Sequence, residues 1–484
     1  MPQNTPDFDV VIVGAGLSGI GSAYHLQDKC PQHSYTIFEA RANMGGTWDL
    51  FRYPGIRSDS DMYTLGFSFY PWKDPKAIAD GPAILSYIKE TASVFGIDQN
   101  IQFQRQVSEA HWDSQKQQWL LQVTALDQQE TLSVTCNFLF MCSGYYDYAE
   151  PYNPPIAGAE NFKGQLIHPQ HWPEGLDYTG QEVVVIGSGA TAVTLVPEMA
   201  KKAKGVTMLQ RTPSYIMNLP SEDAMANFLK RILPAQIAHS LNRWKNILQG
   251  MLFYQVSRRW PGMIKKLLKK GIRKALGSAY QERNFDPPYQ PWDQRLCLIP
   301  DEDLFQVLKE GKAKIITDTI DHIQETGLQL HSGKYLPADL IVKATGLKVQ
   351  LFGGMKVFVE GQLLDTAKTH TYKGVLFGGV PNLAVAVGYT NATWTLKCDL
   401  NGQFVCKMLN HMQKNGFQSC TPRFDPTIFD TEALLDFDAG YIKRAAAILP
   451  KQGSKAPWKV YQNYIKDLAS LKYGSVKDRY LEYQ

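Results

Sequence analysis

The chain has 484 residues, and at about 150 residues per domain that length implies two or three domains with large buried cores. Its 44% hydrophobic and 20% charged residues, with 38 Gly and 27 Pro, match a globular composition and exclude disordered, collagen-like and low-complexity chains. The formal net charge is only +4, yet twelve Lys/Arg and no Asp/Glu fall between Ala224 and Gln281, leaving 38 basic against 46 acidic residues elsewhere.

Met1 to Asp9 lack the basic segment and apolar core of a secretory signal, and no apolar run approaches the ~18 residues of a membrane span, so a cytoplasmic location is expected. Seven scattered cysteines (Cys30, Cys136, Cys142, Cys297, Cys398, Cys406, Cys420) form no C-x-x-C pair or Cys/His spacing. They read as reduced thiols, and no metal is expected.

The apolar run Val10-Val11-Ile12-Val13 reads as a buried strand leading into Gly14-Ala15-Gly16-Leu17-Ser18-Gly19 and a helical pattern through Ala23, Leu26 and Gln27. A second strand, Tyr35 to Phe38, ends in Glu39, 25 residues after Gly14. A lone G-x-G-x-x-G is a weak signal, but strand, turn, helix and acidic residue together are the setting a dinucleotide fingerprint needs. In that setting Gly14 permits the tight turn, Gly16 lets pyrophosphate approach the helix N-terminus, and Gly19 lets helix and strand pack closely. Glu39 accepts hydrogen bonds from ribose hydroxyls.

Phe138 to Gly144 reads as a return strand, and Pro151, Pro154 and Pro155 mark a crossing between domains. The first arrangement then recurs 173 residues later: Val183-Val184-Val185-Ile186, Gly187-Ser188-Gly189-Ala190-Thr191-Ala192, and a strand Val206 to Leu209 ending at Gln210-Arg211. Two nucleotide sites are implied. Arg211 stands where the first site has Glu39, which points to NADP(H) at the second site and a ribose without 2′-phosphate, as in FAD, at the first. On spacing alone Arg211 is also readable as a solvated strand-end charge. Between Phe228 and Leu276 the pattern is helical, with Met263, Ile264, Leu267, Leu268, Ile272, Ala275 and Leu276 forming an apolar stripe among lysines. Pro287-Pro288 and Pro291 precede Trp292, Leu340 to Gly346 is a second return strand, and Pro381 to Val387 feeds a helix from about Ala392 to Met412.

Two nucleotide folds in this order, the second inserted in the first, resemble the flavoprotein monooxygenases that bind FAD and NADPH. Phe162-Lys163-Gly164-Gln165-Leu166-Ile167-His168-Pro169-Gln170-His171-Trp172-Pro173 matches F-x-G-x-x-x-H-x-x-x-W-P, the fingerprint of type I Baeyer–Villiger monooxygenases. Gly45-Gly46-Thr47-Trp48, Tyr53-Pro54-Gly55 and Asp59 fit that family's G-G-x-W-x-x-x-x-Y-P-G-x-x-x-D. Ser58 to Tyr63 and Trp292 to Leu296 resemble the bacterial subgroup that includes the ethionamide-activating monooxygenases of mycobacteria.

The resemblance implies an α/β fold of two Rossmann-like domains. Residues 1–150 and 335–484 would form a discontinuous FAD domain, and 151–334 an inserted NADP domain carrying a basic helical insertion at about 224–281 that walls the substrate cavity. It adds Ser18, Gly46, Thr47, Trp48, Asp59 and Val107 to the FAD contacts, and Ser188, Ala190, Thr191, Ala192 and Gln210 to those of NADP beside Gly187, Gly189 and Arg211. Arg295 corresponds to the arginine that stabilises a negatively charged peroxyflavin, because a peroxide anion in a dry cavity requires a fixed cation; Asp59 positions it. Read without the family, Arg295 is a surface residue after a Pro-rich turn. His168 and Trp172 would couple the two domains, although a packed linker histidine fits His168 as well. Many members have Lys before the catalytic arginine and Pro after it. Here Gln294 and Leu296 stand there, which shifts recognition of the 2′-phosphate towards Arg211.

The implied activity is insertion of one oxygen atom of O2 next to a ketone carbonyl, giving an ester or lactone, with sulfoxidation of thioethers as a second activity. The rivals are an N- or S-oxygenating flavin monooxygenase, disfavoured by Trp172-Pro173, and a non-catalytic redox sensor. The expected partners are a small ketone or thioether and O2, without nucleic acid. The basic amphipathic segment adds an expectation of loose contact with anionic lipid.

Overall fold

The computed structural model describes residues 5–294, 296–435 and 440–484. Two sheets organise it. The first, of 11 strands among the described residues, has a parallel centre in the order Leu383–Val385, Glu130–Met141, Phe8–Val13, Tyr35–Glu39, Ile101–Phe103. Strand Glu130–Met141 is long enough, at 12 residues, to serve this centre with its C-terminal half and an antiparallel meander with Gln118–Ala125 and Arg105–Asp113. The parallel strands are continuous apolar runs because both of their faces are covered. Helices Leu17–Lys29 and Trp394–Asn415 pack together on one face, where the Cys398 and Cys406 sides of the latter meet Ser18 and Cys30.

The second sheet is parallel throughout, in the order Ala313–Thr317, Gly205–Gln210, Glu182–Ile186, Leu340–Lys343, Gln165–Ile167. Helix Ala190–Met199 covers one face, and the antiparallel strands Ile320–Gln324, Gly327–Leu330 and Tyr335–Pro337 lie by the other. This pairing corrects the boundary expected at residue 335. Leu340–Lys343 belongs to the second sheet, between Glu182–Ile186 and Gln165–Ile167, so the chain returns to the first unit only after Lys343.

The basic segment folds as helices Ala224–Ile232, Ala235–Arg259 and Pro261–Leu276. Asp223 caps the first by accepting the Ala226 N–H at 2.9 Å. The apolar stripe expected on the last helix divides. Ile264, Ile272 and Leu276 are buried, whereas Met263 and Leu267 face solvent. Among the described residues no helix is long and apolar enough to cross a membrane.

Candidate active site

The first glycine-rich turn is dictated by close backbone approach. Gly14 has φ +104°, donates its N–H to Phe38 O at 2.8 Å, and would place a Cβ 2.7 Å from Cys142 O. A Cβ on Gly19 would lie 1.9 Å from Gly14 O, which excludes every side chain there. Gly16 caps helix Leu17–Lys29 with no side-chain acceptor, so the first-turn N–H groups are left for a ligand. Across from it, Gly46 has φ 56° and ψ −124°, and its Cβ would come within 3.2 Å of Gly16 Cα. Two bare backbones thus face each other where side chains would otherwise fill the space.

Glu39 ends strand Tyr35–Glu39 and is buried. Its Oε2 accepts the Ala15 N–H at 2.8 Å and its Oε1 the Arg41 N–H at 2.9 Å. Burial pushes its carboxyl above the ordinary range, and these bonds oppose that. Each oxygen keeps a lone pair for a hydroxyl donor. Arg41 is oriented by Asp49 at 2.6 Å, and Arg52 holds the other oxygen of Asp49 at 2.7 Å.

These groups open onto a cavity of about 810 Å3, within the size range of ligand sites. It is lined by Gly14, Gly16, Ser18, Glu39, Gly46, Thr47, Trp48, Asp59 and Val107, and from the second unit by Ala190 and Thr191. Ser18 contributes less hydroxyl than the sequence suggests, since its Oγ takes the Trp394 Nε1–H at 2.8 Å and donates to Cys398 Sγ at 3.3 Å. Gly19 packs behind the wall. No residue of 224–281 is in the lining of this cavity. Arg295 lies outside the described residues; Leu298, three positions on, lines the cavity.

The Y-P-G motif wedges between the two units. Gly55 has φ +74°, and a Cβ there would lie 2.4 Å from Glu198 Cγ and 3.1 Å from Thr194 O, both on helix Ala190–Met199. Arg57, two residues on, pairs with Asp303 of the second unit and lines the cavity. Its Nε and Nη2 are buried without a hydrogen-bond partner among the described residues. Sequence reasoning missed this residue, although it stands inside the motif that was read.

In the second turn Gly187 has φ +145° and would place a Cβ 2.4 Å from Ala344 O, while Gly189 caps helix Ala190–Met199 with open space around it. Ser188 accepts from the Ser214 hydroxyl at 3.1 Å, and Ala192 is buried in the packing. Gln210 turns into the protein, donating to Asn284 O and Thr317 Oγ1, both at 2.9 Å. Its amide is committed there, and Arg211 beside it is exposed without an ion-pair partner among the described residues.

In the F-x-G-x-x-x-H-x-x-x-W-P segment, Gly164 is required by pairing with the second sheet: its Cβ would lie 2.2 Å from Asp339 O. His168 caps the short helix Pro169–His171, its Nδ1 accepting the Gln170 N–H at 3.1 Å. Burial pushes its imidazole down to about 4, so it is neutral at pH 7. Trp172 packs half-buried on the second core. The reach towards the cavity is made by neighbours that were not singled out. Gln170 donates to Asp147 O at 2.9 Å and Tyr148 O at 3.1 Å, and the His171 ring meets Ala149 O at 3.1 Å; all three carbonyls belong to the cavity-lining stretch 145–149.

A sequence model of the flavin-binding monooxygenase-like family matches residues 8–347. The chain is 50% identical over 482 residues to the FAD-containing monooxygenase EthA of Mycobacterium tuberculosis, covering 99% of this chain and 98% of that one. It is 46% identical over 477 residues to the probable FAD-binding monooxygenase AlmA of Acinetobacter baylyi, covering 98% and 96%. Among solved structures it superposes on oxidized steroid monooxygenase bound to NADP with a TM-score of 0.77 at 20% identity, over 98% of this chain and 99% of that one. Cyclohexanone monooxygenase in its open form gives 0.74 at 18%, over 99% and 100%. Those two likenesses establish the fold, and the closer relatives and the family match establish membership: the chain belongs to the flavin-binding monooxygenase-like family.

Proposed function

We propose that the chain is an FAD- and NADPH-dependent monooxygenase that inserts one atom of O2 beside a ketone carbonyl, giving an ester or lactone, and that also oxidises thioethers to sulfoxides. The observation that carries this reading is the single cavity shared by both glycine-rich units, with a bare-backbone cradle at Gly16 and Gly46 and a buried carboxylate at Glu39. These residues fit FAD. When bound, the flavin supplies the redox chemistry, taking a hydride from NADPH and activating O2.

The chain's own groups bind, orient and exclude water. The N-terminus of helix Leu17–Lys29 holds pyrophosphate, and Glu39 accepts from ribose hydroxyls. At the second turn, Arg211 pairs with the 2′-phosphate of NADPH. Asp59, in the cavity wall, orients the cation that faces developing negative charge, the role the family resemblance assigns to Arg295. The ties from Gln170 and His171 to 147–149 couple the second unit to the cavity. Apolar ketones partition into lipid, and peripheral contact with a membrane surface through residues 224–281 belongs to the same reading.

The test is product analysis by mass spectrometry after FAD-loaded protein, NADPH and 18O-labelled O2 meet a mixture of linear ketones and one thioether. Labelled ester is the expected product, with labelled sulfoxide beside it. Labelled sulfoxide with no ester would instead make the protein a heteroatom-oxygenating monooxygenase.

A further inference from the structure

Helix Ala235–Arg259 is inverted with respect to a helix on a water-facing surface. Its buried side carries His239, Asn242 and Arg243 beside Ala238 and Ile247, and two of these, His239 and Arg243, answer backbone carbonyls of the protein. His239 Nε2 meets Phe67 O at 3.0 Å, and Arg243 Nη1 donates to Tyr63 O at 2.9 Å and Gly66 O at 2.8 Å. Its outer side carries Ile237, Leu241, Trp244, Leu248 and Leu252, spaced by three and four residues and 39–66% exposed. That spacing makes one continuous apolar stripe. The preceding helix repeats the device with Met225, Phe228 and Ile232, and the following one with Met263 and Leu267. Soluble proteins rarely leave an apolar surface of this extent in water.

The unpaired charge of the segment is of one sign. Of the basic residues in the segment, Lys265 and Lys269 pair with Asp286, and Arg258 with Asp293, while Lys245 pairs with Asp223. Arg231, Arg259, Lys266, Lys270 and Lys274 are exposed and have no ion-pair partner among the described residues. Exposed aliphatic groups ringed by unpaired cations are complementary to acyl chains beneath anionic head groups. A second copy meeting this face about a twofold axis would set cations against cations, with no acid inside 224–281 to offset them. Apart from Phe228 and Trp244 these outward side chains are aliphatic and do not stack on bases, so a nucleic acid would leave most of the stripe in water. Trp244, with its amphipathic ring, suits the interfacial depth.

We infer that the outward face of helices Ala224–Ile232, Ala235–Arg259 and Pro261–Leu276 docks the protein peripherally on an anionic lipid bilayer. The stripe lies in the acyl boundary, and Arg231, Arg259, Lys266, Lys270 and Lys274 lie at the level of the head groups. This docking rests on the membrane contact of the proposed function, to which it gives a surface and a lipid charge, and it holds whichever substrate the cavity takes.

Sedimentation of the FAD-loaded protein with vesicles tests this. Vesicles of phosphatidylcholine and phosphatidylglycerol in equal parts should pellet most of the protein at low ionic strength. Phosphatidylcholine alone should leave it in the supernatant, and added salt should release it. Two variants are read alongside, with flavin content and circular dichroism as checks on folding. Leu241→Glu/Leu248→Glu should abolish pelleting, and Lys266→Glu/Lys270→Glu should lower the partition coefficient about fivefold or more per residue changed. Wild-type protein that stays with the supernatant of anionic vesicles overturns the proposal. So does pelleting that both variants leave unchanged, which would place the contact elsewhere. A lipid-free dimer in sedimentation velocity that Leu241→Glu/Leu248→Glu dissolves would also overturn it, because a second copy would then be the occupant.

Discussion

Phe38 pairs with Val13 and accepts the Gly14 N–H as Leu209 pairs with Ile186 and accepts the Gly187 N–H. Gln210 is therefore the counterpart of Glu39 and Arg211 lies one residue beyond it, which corrects the expectation that Arg211 stands in the place of Glu39. Glu39 is buried and fixed by backbone donors, whereas Arg211 is exposed and unpaired among the described residues. An unpaired guanidinium is available as a fork for a phosphate, and a charge-assisted bond of that kind contributes about 1.5–3 kcal/mol. Arg211→Gln should therefore raise the KM for NADPH about tenfold to a hundredfold while kcat changes little. The KM for NADH, which has no 2′-phosphate, should barely move. Steady-state kinetics with both coenzymes check this, and an equal rise for both would return Arg211 to the status of a solvated strand end. Its neighbour Gln210 shows why residue roles are only partly legible in a sequence. The pair reads as one motif, but the amide of Gln210 satisfies Asn284 O and Thr317 Oγ1 from elements more than seventy positions away. Gln170 escaped notice for the same reason, since nothing local announces that Asp147 O and Tyr148 O will need its donors.

At the scale of the element, the glycine-rich turns were legible because their requirement is local: a positive φ or a contact with the next strand admits no side chain. Gly46 tests how far that reading extends to the ligand. Its φ of 56° with ψ −124° costs an alanine about 1–2 kcal/mol of strain, and its Cβ would also intrude into the cradle opposite Gly16. Gly175 has φ +70° with nothing within 4 Å of a Cβ, so alanine there meets strain alone. Gly46→Ala should lose most of its flavin on gel filtration while remaining folded, whereas Gly175→Ala should lower the melting temperature a few degrees and keep its flavin. Equal flavin retention by the two variants would mean that the cradle does not hold the cofactor. What sequence left undecided at this scale was assignment to a partner. The apolar run Leu340–Lys343 was readable as a return strand, but which sheet receives it depends on neighbours distant in the chain. Helix Ala235–Arg259 escaped in the same way. Apolar periodicity gives the stripe but not its direction, and the direction is set by carbonyls at the end of helix Met62–Leu65 that Arg243 satisfies.

For the molecule as a whole, two histidines make folding stability depend on pH, and they sit at the two places where separate parts are joined. His168 caps the segment that ties the second unit to the cavity wall, and His239 anchors the basic helices on Phe67. Burial pushes both imidazoles down to about 4, and for His239 the nearby Arg243 and Lys230 add to the effect. The geometry agrees. His239 Nδ1 is buried without a partner and a proton there would find no acceptor, while a proton on His168 Nδ1 would break the cap at the Gln170 N–H. In the unfolded chain each ring titrates near its ordinary value of about 6.5, so between about pH 6.5 and 4 the unfolded state binds protons that the folded state refuses. The contribution of these groups is therefore complete above about pH 6.5 and is lost progressively as the pH falls to 4. His239 is the more deeply buried of the two. The melting temperature should hold steady above about pH 7 and fall steadily towards pH 5, with proton uptake on unfolding approaching two per chain. His168→Asn, which keeps a capping acceptor, combined with His239→Gln should flatten that slope. A wild-type melting temperature indifferent to pH across this range would show that the two rings are not held neutral, and with that the account of how the link segment and the basic helices are seated would fail.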